Sequence, residues 1–436
     1  SLKASFRLVI SLTFHYICPT PAMRSPFAGF APFEHIHTSM KIIATSDWHL
    51  GHQLYNYQRE AEQHSMLNQL SEYVREHRPD ALLIAGDVYD TIQPSAAVQT
   101  LFANALVQIH EAHPAMVIVC IAGNHDSGSR HMIFSTPWKA LNVHMIGTIA
   151  KDSPLDDYVV KIPGKGYIAA IPFAADRFMP DNVFEKVAQF VGSQNASEQL
   201  PVVLMAHLAI KGSNYQGHEL STDSVIGGLD CQDAAVFGNG YDYVALGHIH
   251  KNQSVHPDRH IWYSGTPIPV SFDEVYPGNK HGVMLMECNQ HGGEVHARLL
   301  PIRNIRPLVN IPANGYASWQ EVKHEFEHFP DDLEAYIRLN VEVDEHLPAG
   351  INDEAAAIAK GKACHFCLIN SRRKALAETG NAARTYTTSE LKALDPVDVA
   401  QMWVESKQMV FDDTMKAVLN EVKQYIQLHP DEATEA

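Results

Sequence analysis

Five short apolar segments, each ending in polar side chains, follow one another along the chain from Met40 onward. They are Lys41–Asp47, Ala81–Asp87, Met116–Asn124, Pro201–His207 and Tyr241–His250. Apolar and β-branched runs of this length predict buried strands. Sites in α/β proteins are commonly built where strands end, so the polar residues at these ends are the first candidates for function.

Helical segments separate the first three predicted strands. Residues 57–77 place Met66, Leu67, Leu70 and Val74 on one apolar stripe, and residues 95–112 have similar spacing. The first three strands begin about 35 to 40 residues apart, which is typical of βαβ units. We therefore predict an α/β fold with parallel strands whose carboxyl ends share one edge.

The polar clusters have the composition of a two-metal centre. Two divalent ions about 3.5–4 Å apart need a bridging carboxylate, and their remaining positions accept imidazole and amide ligands. Asp87 is the natural bridge because it lies between the other clusters in chain order. The other ligands of one ion would be Asp47, His49 and one of the two histidines His248 and His250. The candidates for the second ion are Asn124, His207 and the remaining histidine.

The donor types and their order favour a metal over simpler explanations. Oxygen and imidazole donors without thiolate suit Mn, Fe or Zn better than Ca or Cu(I). Each cluster alone could be a turn, since Gly, Asn and Asp favour turns, and His207 alone could be a buried core histidine. Five clusters in succession, each at a predicted strand end, favour a metal centre.

The motifs carry a family resemblance. The sequence resembles the calcineurin-like metallophosphoesterase superfamily in these positions: Asp47-x-His49, GDxxD at 86–90, GNHD at 123–126, His207 and GHIH at 247–250. The segment Tyr263–Glu274 narrows the resemblance to the bacterial SbcD nuclease subunits. The likeness is close from Met40 to about Pro307 and looser beyond.

The resemblance implies a fold and a division of the chain. The expected fold is a metallophosphoesterase β-sandwich, with two mixed sheets flanked by helices, a small α+β capping domain and C-terminal helices. The expected parts are a leader outside the fold (1–39), a nuclease domain (40–307), a capping domain (308–370), a linker (371–395) and a helical partner-binding segment (396–436). Residues 1–39 have no counterpart in the family, and we expect an appended or mis-started leader with Met40 as the natural start. A signal peptide is the alternative, because Arg7 precedes an apolar run.

The resemblance also assigns roles to individual residues. One ion would be held by Asp47, His49, Asp87 and His250, and the other by Asp87, Asn124, His207 and His248, with manganese the usual metal. His125 would be a catalytic residue that stabilises or protonates the leaving oxygen, and we expect Asp126 to orient its ring. Some relatives have a histidine at the position of Asp90, for which we expect a supporting contact behind a ligand.

The implied activity is hydrolysis of DNA phosphodiester bonds in repair, recombination and replication. The resemblance implies an ATP-dependent double-strand exonuclease and a single-strand and hairpin endonuclease. The chain contains no GxxxxGK[ST] loop, so ATP would act through a partner. The resemblance identifies that partner as an SbcC-type ATPase with a coiled coil, which a homodimer of this chain would join in a heterotetramer.

Two other functions compete with the nuclease. A dinuclear phosphoesterase acting on small phosphodiesters or phosphomonoesters would use similar ligands, although phosphoprotein phosphatases usually carry GDYVDRG where this chain has GDVYDTI. A non-catalytic scaffold would be expected to have lost a ligand, whereas every expected ligand is present.

Composition limits how this chain meets nucleic acid. With 33 Lys and Arg against 50 Asp and Glu, its formal charge is −17, which argues against binding by surface charge alone. Local basic residues could contact phosphates or simply be solvated: Arg303, Arg306, Arg372, Arg373 and Lys374. Six scattered cysteines predict a reducing, cytoplasmic setting, and no segment approaches the ~18 apolar residues of a membrane helix.

Overall fold

A computed structural model of the protein describes residues 39–133, 135–175, 178–215, 231–344 and 346–374, with residues 397, 401 and 415–419. The chain divides into two compact units, Ser1–Arg372 and Arg373–Ala436. Among the described residues, no helix combines the length and the apolar character needed to cross a bilayer.

Strands dominate the first unit. The described strands are β1 (Met40–Thr45), β2 (Gln53–Leu54), β3 (Tyr57–Gln58), β4 (Ala81–Ala85), β5 (Val117–Ile121), β6 (Val143–Ile146), β7 (Val159–Ile162), β8 (Gly166–Ile171), β9 (Val202–His207), β10 (Tyr243–Gly247), β11 (Gln253–His256), β12 (Ile261–Tyr263), β13 (Gly282–Cys288), β14 (Val295–Pro301), β15 (Leu308–Ile311), β16 (Tyr336–Val343) and β17 (His365–Arg373). The described helices are α1 (Glu60–His77), α2 (Ala96–Ala112), α3 (Gly128–Ile133), α4 (Ser135–Lys139), α5 (Val183–Asn195), α6 (Trp319–Glu327) and α7 (Ile351–Ala359).

Two six-stranded mixed sheets form the larger part of the described structure. The first has the order β14-β13-β1-β4-β5-β6, in which β1, β4, β5 and β6 are parallel, β13 is antiparallel to β1, and β14 is antiparallel to β13. The second has the order β11-β12-β10-β9-β8-β7, in which the four inner strands are parallel and the two edge strands antiparallel. The predicted sandwich of two mixed sheets flanked by helices is confirmed.

Alternation along β1 shows how the layers are built. Ile42 and Ala44 face the second sheet and share a core with Val203, whereas Ile43 faces the other way and packs with Met66 of α1 and Leu106 of α2. Side chains of a strand point alternately to opposite faces, so both faces of this sheet are covered. Double coverage explains why the strands appear in the sequence as continuous apolar runs.

The structure confirms the predicted strands and helices, with shorter ends. The first three strands end at Thr45, Ala85 and Ile121, and the last predicted strand ends at Gly247. The predicted helices correspond to α1 and α2. The polar residues of four predicted segments therefore lie in loops just beyond the strands, whereas His207 is the last residue of β9.

A smaller three-stranded sheet of order β15-β16-β17, with α6 and α7, packs beside the sandwich in the same compact unit. Arg306 joins it to α1 by ion pairs with Glu62 at 3.1 Å and Glu334 at 2.9 Å. Arg306 is therefore already paired with two carboxylates. The division into nuclease and capping domains stays a prediction.

The predicted linker begins too early at 371, because β17 continues to Arg373. Arg372 donates to Glu342 at 3.0 Å, and its guanidinium lies 4.4 Å from the ring centre of Tyr316, so this end of the strand is held on both sides. The predicted leader lies outside the described residues except for Ser39. The remaining linker and the C-terminal helical segment also lie outside them, apart from a few isolated positions.

Asp242 ties the two sheets together at the amino end of β10. Its carboxylate accepts hydrogen bonds from Val202 N at 2.7 Å, Gly292 N at 2.7 Å and His291 Nδ1 at 3.0 Å. Val202 begins β9, whereas residues 291 and 292 form the turn between β13 and β14. A carboxylate that is 8% exposed thus joins strands of opposite layers.

We predict that Asp242→Ala lowers the free energy of unfolding by about 3 kcal/mol, because buried donors lose a charged acceptor. Urea denaturation measures this change. The exposed Asp258 near the same end provides the matched control, Asp258→Ala, which should shift the midpoint little. Equal stability of the two variants would contradict the role given to Asp242.

Candidate metal centre

The carboxyl ends of the two sheets meet at a direct contact between strands β4 and β9. Nδ1 of His207 lies 2.8 Å from the carbonyl oxygen of Ala85, which bonds one sheet to the other. The backbone amide of Asp47 donates to Gly86 O at 3.0 Å, which joins the loops after β1 and β4. All five predicted polar clusters follow strands that end at this edge.

The backbone in these loops is left-handed at four candidate ligands. The φ angles are 54° at Asp47, 43° at His49, 50° at Asp87 and 96° at His248. Such conformations cost about 1–3 kcal/mol each for residues with a side chain, and they cluster at functional sites. The backbone conformation of the loops therefore directs these side chains together, because β1 and β10 have already ended.

Three glycines allow the loops to approach each other. A Cβ added to Gly123 would lie 2.1 Å from Asp87 Oδ1, and one added to Gly247 would lie 2.0 Å from Ala85 O. A Cβ on Gly86, whose φ is +88°, would lie 2.4 Å from His207 Nδ1. Each glycine immediately precedes a candidate ligand, so its small size lets the backbone bring that ligand close to the others.

Asp47, His49 and His250 form the first group of candidate ligands. Their donor atoms lie within 4.8 Å of one another, and the Nε2 atoms of the two histidines are 3.2 Å apart. Asp90 lies behind His49, with Oδ1 3.5 Å from Nδ1. Burial alone would lower the pKa of His49, but the contact with Asp90 and the charges of Asp87 and Asp47 outweigh it and raise that pKa to about 9.

Asp87, His207 and His248 form the second group, and Asn124 completes it. The amide oxygen of Asn124 lies 2.9 Å from His248 Nδ1 and 3.0 Å from His207 Nε2. Burial would lower the pKa of His207, but the charge of Asp87 outweighs it and raises that pKa to about 9. The structure thus brings together, in two adjacent groups, the residues that the family resemblance assigns to each ion.

Asp87 is placed to serve both groups. Its Oδ1 accepts a hydrogen bond from the backbone amide of His125 at 2.8 Å, and its Oδ2 lies 3.3 Å from His207 Nε2. Burial would raise the pKa of Asp87, but the charges of His207 and His49, one from each group, hold it well below its ordinary value. A carboxylate that interacts with a histidine of each group is a suitable bridge between two ions.

The ring of His125 borders the first group, with its centre 4.9 Å from that of His49. Its Nδ1 lies 3.0 Å from the carbonyl oxygen of Asp90, and not at the carboxylate of Asp126 as we expected. Asp126 instead accepts hydrogen bonds from the backbone amides of Val88, Tyr89 and Gly123. Because three amides already point at this carboxylate, it orients the two loops that carry Asp87 and Asn124.

The donor set fits two divalent cations. In the first group, Nε2 atoms of two buried imidazoles face each other beside a carboxylate, an arrangement that a shared cation would satisfy. In the second, a carboxylate, an amide oxygen and two imidazoles converge. Oxygen and nitrogen donors of this kind suit Mn, Fe and Zn.

Sequence reasoning missed one buried acid at this site. Glu274 lies 3.0 Å from His250 Nδ1, although it is far from every polar cluster in the sequence. It belongs to the segment Tyr263–Glu274, which contributes to the family resemblance but contains none of the predicted site residues. The short turn that holds it has neither helical nor strand periodicity, so no pattern marked it as functional.

A family model for calcineurin-like phosphoesterases matches residues 40–252, the stretch that contains all seven candidate ligands. This agrees with the layered sheets and with the donor set at their carboxyl ends. The protein therefore contains a phosphoesterase domain of the calcineurin-like class.

Individual relatives narrow the class. The SbcD chain of the nuclease SbcCD from Rhodobacter capsulatus is 31% identical over 307 residues, covering 65% of this chain and 74% of the relative. The corresponding SbcD chain from Escherichia coli K12 is 26% identical over 414 residues, covering 88% of this chain and 99% of the relative. The chain belongs to the SbcD nuclease-subunit family and is a hydrolase of phosphodiester bonds.

Among solved structures, that of TT1561 from Thermus thermophilus is similar to this chain with 13% sequence identity and a TM-score of 0.34. The similarity covers 61% of this chain and all of the other.

We predict that Gly123→Ala weakens Mn²⁺ binding about tenfold or more, because the added methyl group would displace Asp87. Isothermal titration calorimetry on metal-stripped protein measures the effect. Gly192→Ala is the matched control, since a Cβ there meets nothing within 4 Å and Gly192 lies within α5. Unchanged binding by Gly123→Ala would show that the centre does not need this close approach.

Proposed function

We propose that this protein is a Mn²⁺-dependent DNA nuclease that cleaves double-stranded ends, single strands and hairpins. The observation that carries the proposal is the convergence of seven donor residues from five strand ends into two adjacent groups, in a chain of the SbcD family. The ligand set is Asp47, His49, Asp87 and His250 for one ion, and Asp87, Asn124, His207 and His248 for the other.

Bound there, two divalent ions would lower the pKa of a water molecule and neutralise negative charge on a phosphodiester. The chain itself supplies the rigid frame. His207 and His250 each have Nδ1 against an acceptor, Ala85 O and Glu274 respectively, so each directs Nε2 inward. Holding reactants in a fixed geometry is a major part of catalysis in reactions of this kind.

His125 is the residue that we assign to the leaving oxygen. Nδ1 lies 3.0 Å from the carbonyl oxygen of Asp90 and donates its proton to it, so we assign Nε2 as the nitrogen that meets the leaving oxygen. A protonated Nε2 can then pass its proton to the sugar oxygen as the phosphorus–oxygen bond breaks. Asp126 supports this step indirectly by fixing the loop that carries His125.

Partners are proposed from the relatives. Their name designates one component of SbcCD, and we propose that this chain likewise binds an SbcC-type ATPase with a coiled coil, through residues 396–436, as a homodimer within a heterotetramer. An ATPase partner would supply the nucleotide site and much of the grip on DNA. This division of labour is consistent with a chain whose formal charge is −17.

We expect the protein with Mn²⁺ to cleave a hairpin or single-stranded oligonucleotide, and His125→Ala to lower kcat by about 10²- to 10⁴-fold. Rates measured by gel electrophoresis of labelled DNA test both expectations. Calorimetry should give the same Mn²⁺ stoichiometry for variant and parent, since His125 is not assigned as a ligand.

The exposed histidine His64, which lies near Glu60 on α1, provides the control variant His64→Ala, whose rate should equal that of the parent. Undiminished cleavage by His125→Ala would remove the assignment of His125. Turnover of phosphomonoesters alone, with no cleavage of DNA, would replace the nuclease by another phosphoesterase.

We also expect Mn²⁺ to stabilise the folded protein, because the two groups of ligands come together only in the native state. A concentration a hundredfold above Kd should add about 2.7 kcal/mol per site to the free energy of unfolding. Thermal denaturation with and without EDTA measures the shift in Tm. Asp87→Asn, which weakens the bridge, should lose most of the shift, and an equal shift in that variant would contradict the bridging role.

A further inference from the structure

Glu274 is a buried carboxylate beside a candidate ligand. It ends a short 3-10 turn, Phe272–Glu274, and its side chain is 2% exposed. Its Oε1 lies 3.0 Å from Nδ1 of His250, the nitrogen opposite the one that faces His49. The carboxylate therefore stands directly behind the ring of His250.

The second oxygen of Glu274 is held as firmly as the first. Oε2 accepts hydrogen bonds from Thr266 Oγ1 at 3.0 Å and from the backbone amide of Val270 at 3.2 Å. With both oxygens engaged, the carboxylate has one orientation in which to meet the histidine.

This contact sets the tautomer of His250. A carboxylate against Nδ1 keeps the proton on that atom and leaves the lone pair on Nε2, which lies 3.2 Å from His49 Nε2. Carboxylates behind metal-ligating histidines hold the ring in place and raise its basicity. Asp90 is placed in the same way behind His49.

Residues of the small sheet also hold the turn Phe272–Glu274. Arg338 of β16 is 8% exposed and donates from Nη1 to Asp273 Oδ1 at 2.6 Å. Its guanidinium lies 5.3 Å from the ring centre of Phe272, and its Nε donates to Asn310 Oδ1 at 2.8 Å. Asn310 of β15 donates in turn to the carbonyl oxygen of Phe272 at 3.4 Å.

We propose that Glu274 is a positioning residue for the metal group of Asp47, His49 and His250, and that Arg338 holds the turn that carries it. The proposal rests on the proposed metal-dependent function. It makes the small sheet a structural part of the metal centre, because Arg338 binds the residue immediately before Glu274. Displacement of that sheet would therefore weaken the binding of one ion and leave the binding of the other unchanged.

The test is Mn²⁺ binding to the metal-stripped full chain, measured by calorimetry. The parent should bind two ions. In Glu274→Gln, which keeps the shape and removes the charge, one ion should bind about 10- to 100-fold more weakly and the other as in the parent. Glu287→Gln is the matched control, because Glu287 contacts Lys41 on the surface at 3.5 Å.

Arg338→Met provides a second variant that leaves Glu274 intact. It should weaken binding of the same ion by about threefold to tenfold. This loss of affinity is smaller than in Glu274→Gln because the carboxylate itself remains. Arg372→Met, which changes an arginine of the same small sheet that does not touch the turn, is its control. Thermal denaturation of the metal-free forms verifies that each variant is folded before binding is compared.

The outcomes are distinguishable. If the parent binds two ions and both Glu274→Gln and a folded Arg338→Met match it, the positioning role is overturned while the nuclease proposal stands. An equal loss at both ions would also overturn it, because the contact concerns one group only. If the parent binds no Mn²⁺, the proposed function fails first.

Discussion

The close approach of two β-sheets at their carboxyl ends is the constraint on which the rest of this protein depends. Strands β4 and β9 come near enough for His207 to bond the carbonyl oxygen of Ala85, and glycines before the candidate ligands leave room for it. Only at that separation can loops from both sheets supply one cluster of donors. The left-handed conformation of four ligand residues is the conformational cost of turning their side chains inward.

So many ionisable groups can be buried in one place because the charges of the carboxylates and the histidines compensate one another. Asp87 has a histidine of each group near it, and the pKa of His49 and of His207 is raised by neighbouring carboxylates. Two cations would take over the part played here by protons, since metal and proton compete for the same nitrogen atoms. Bound cations would also bring positive charge to the cleft, so the formal charge of −17 does not describe the surface that a phosphate would meet.

The support behind the ligands comes from β4, from the loop that follows it and from the turn Phe272–Glu274. His207 is held by a backbone carbonyl of β4, His49 by Asp90 in the loop after the same strand, and His250 by Glu274. Glu274 lies on a turn that also binds Arg338 of the small sheet. The hydrogen bonds behind the candidate ligands thus connect to the neighbouring sheet, and contacts of this kind hold an imidazole in one orientation.

Five strands with polar residues at their ends, and seven candidate ligands, could be predicted from the sequence because apolar runs and their polar ends are local; the sandwich class followed from the family resemblance. The residues that stand behind the ligands could be found only in the folded chain. Asp126 faces backbone amides instead of His125, and Arg306 pairs with Glu62 and Glu334. Glu274 meets His250 from 24 residues away, across a turn without periodicity. A hydrogen bond between distant residues leaves no pattern along the chain, since its geometry exists only once the strands have packed.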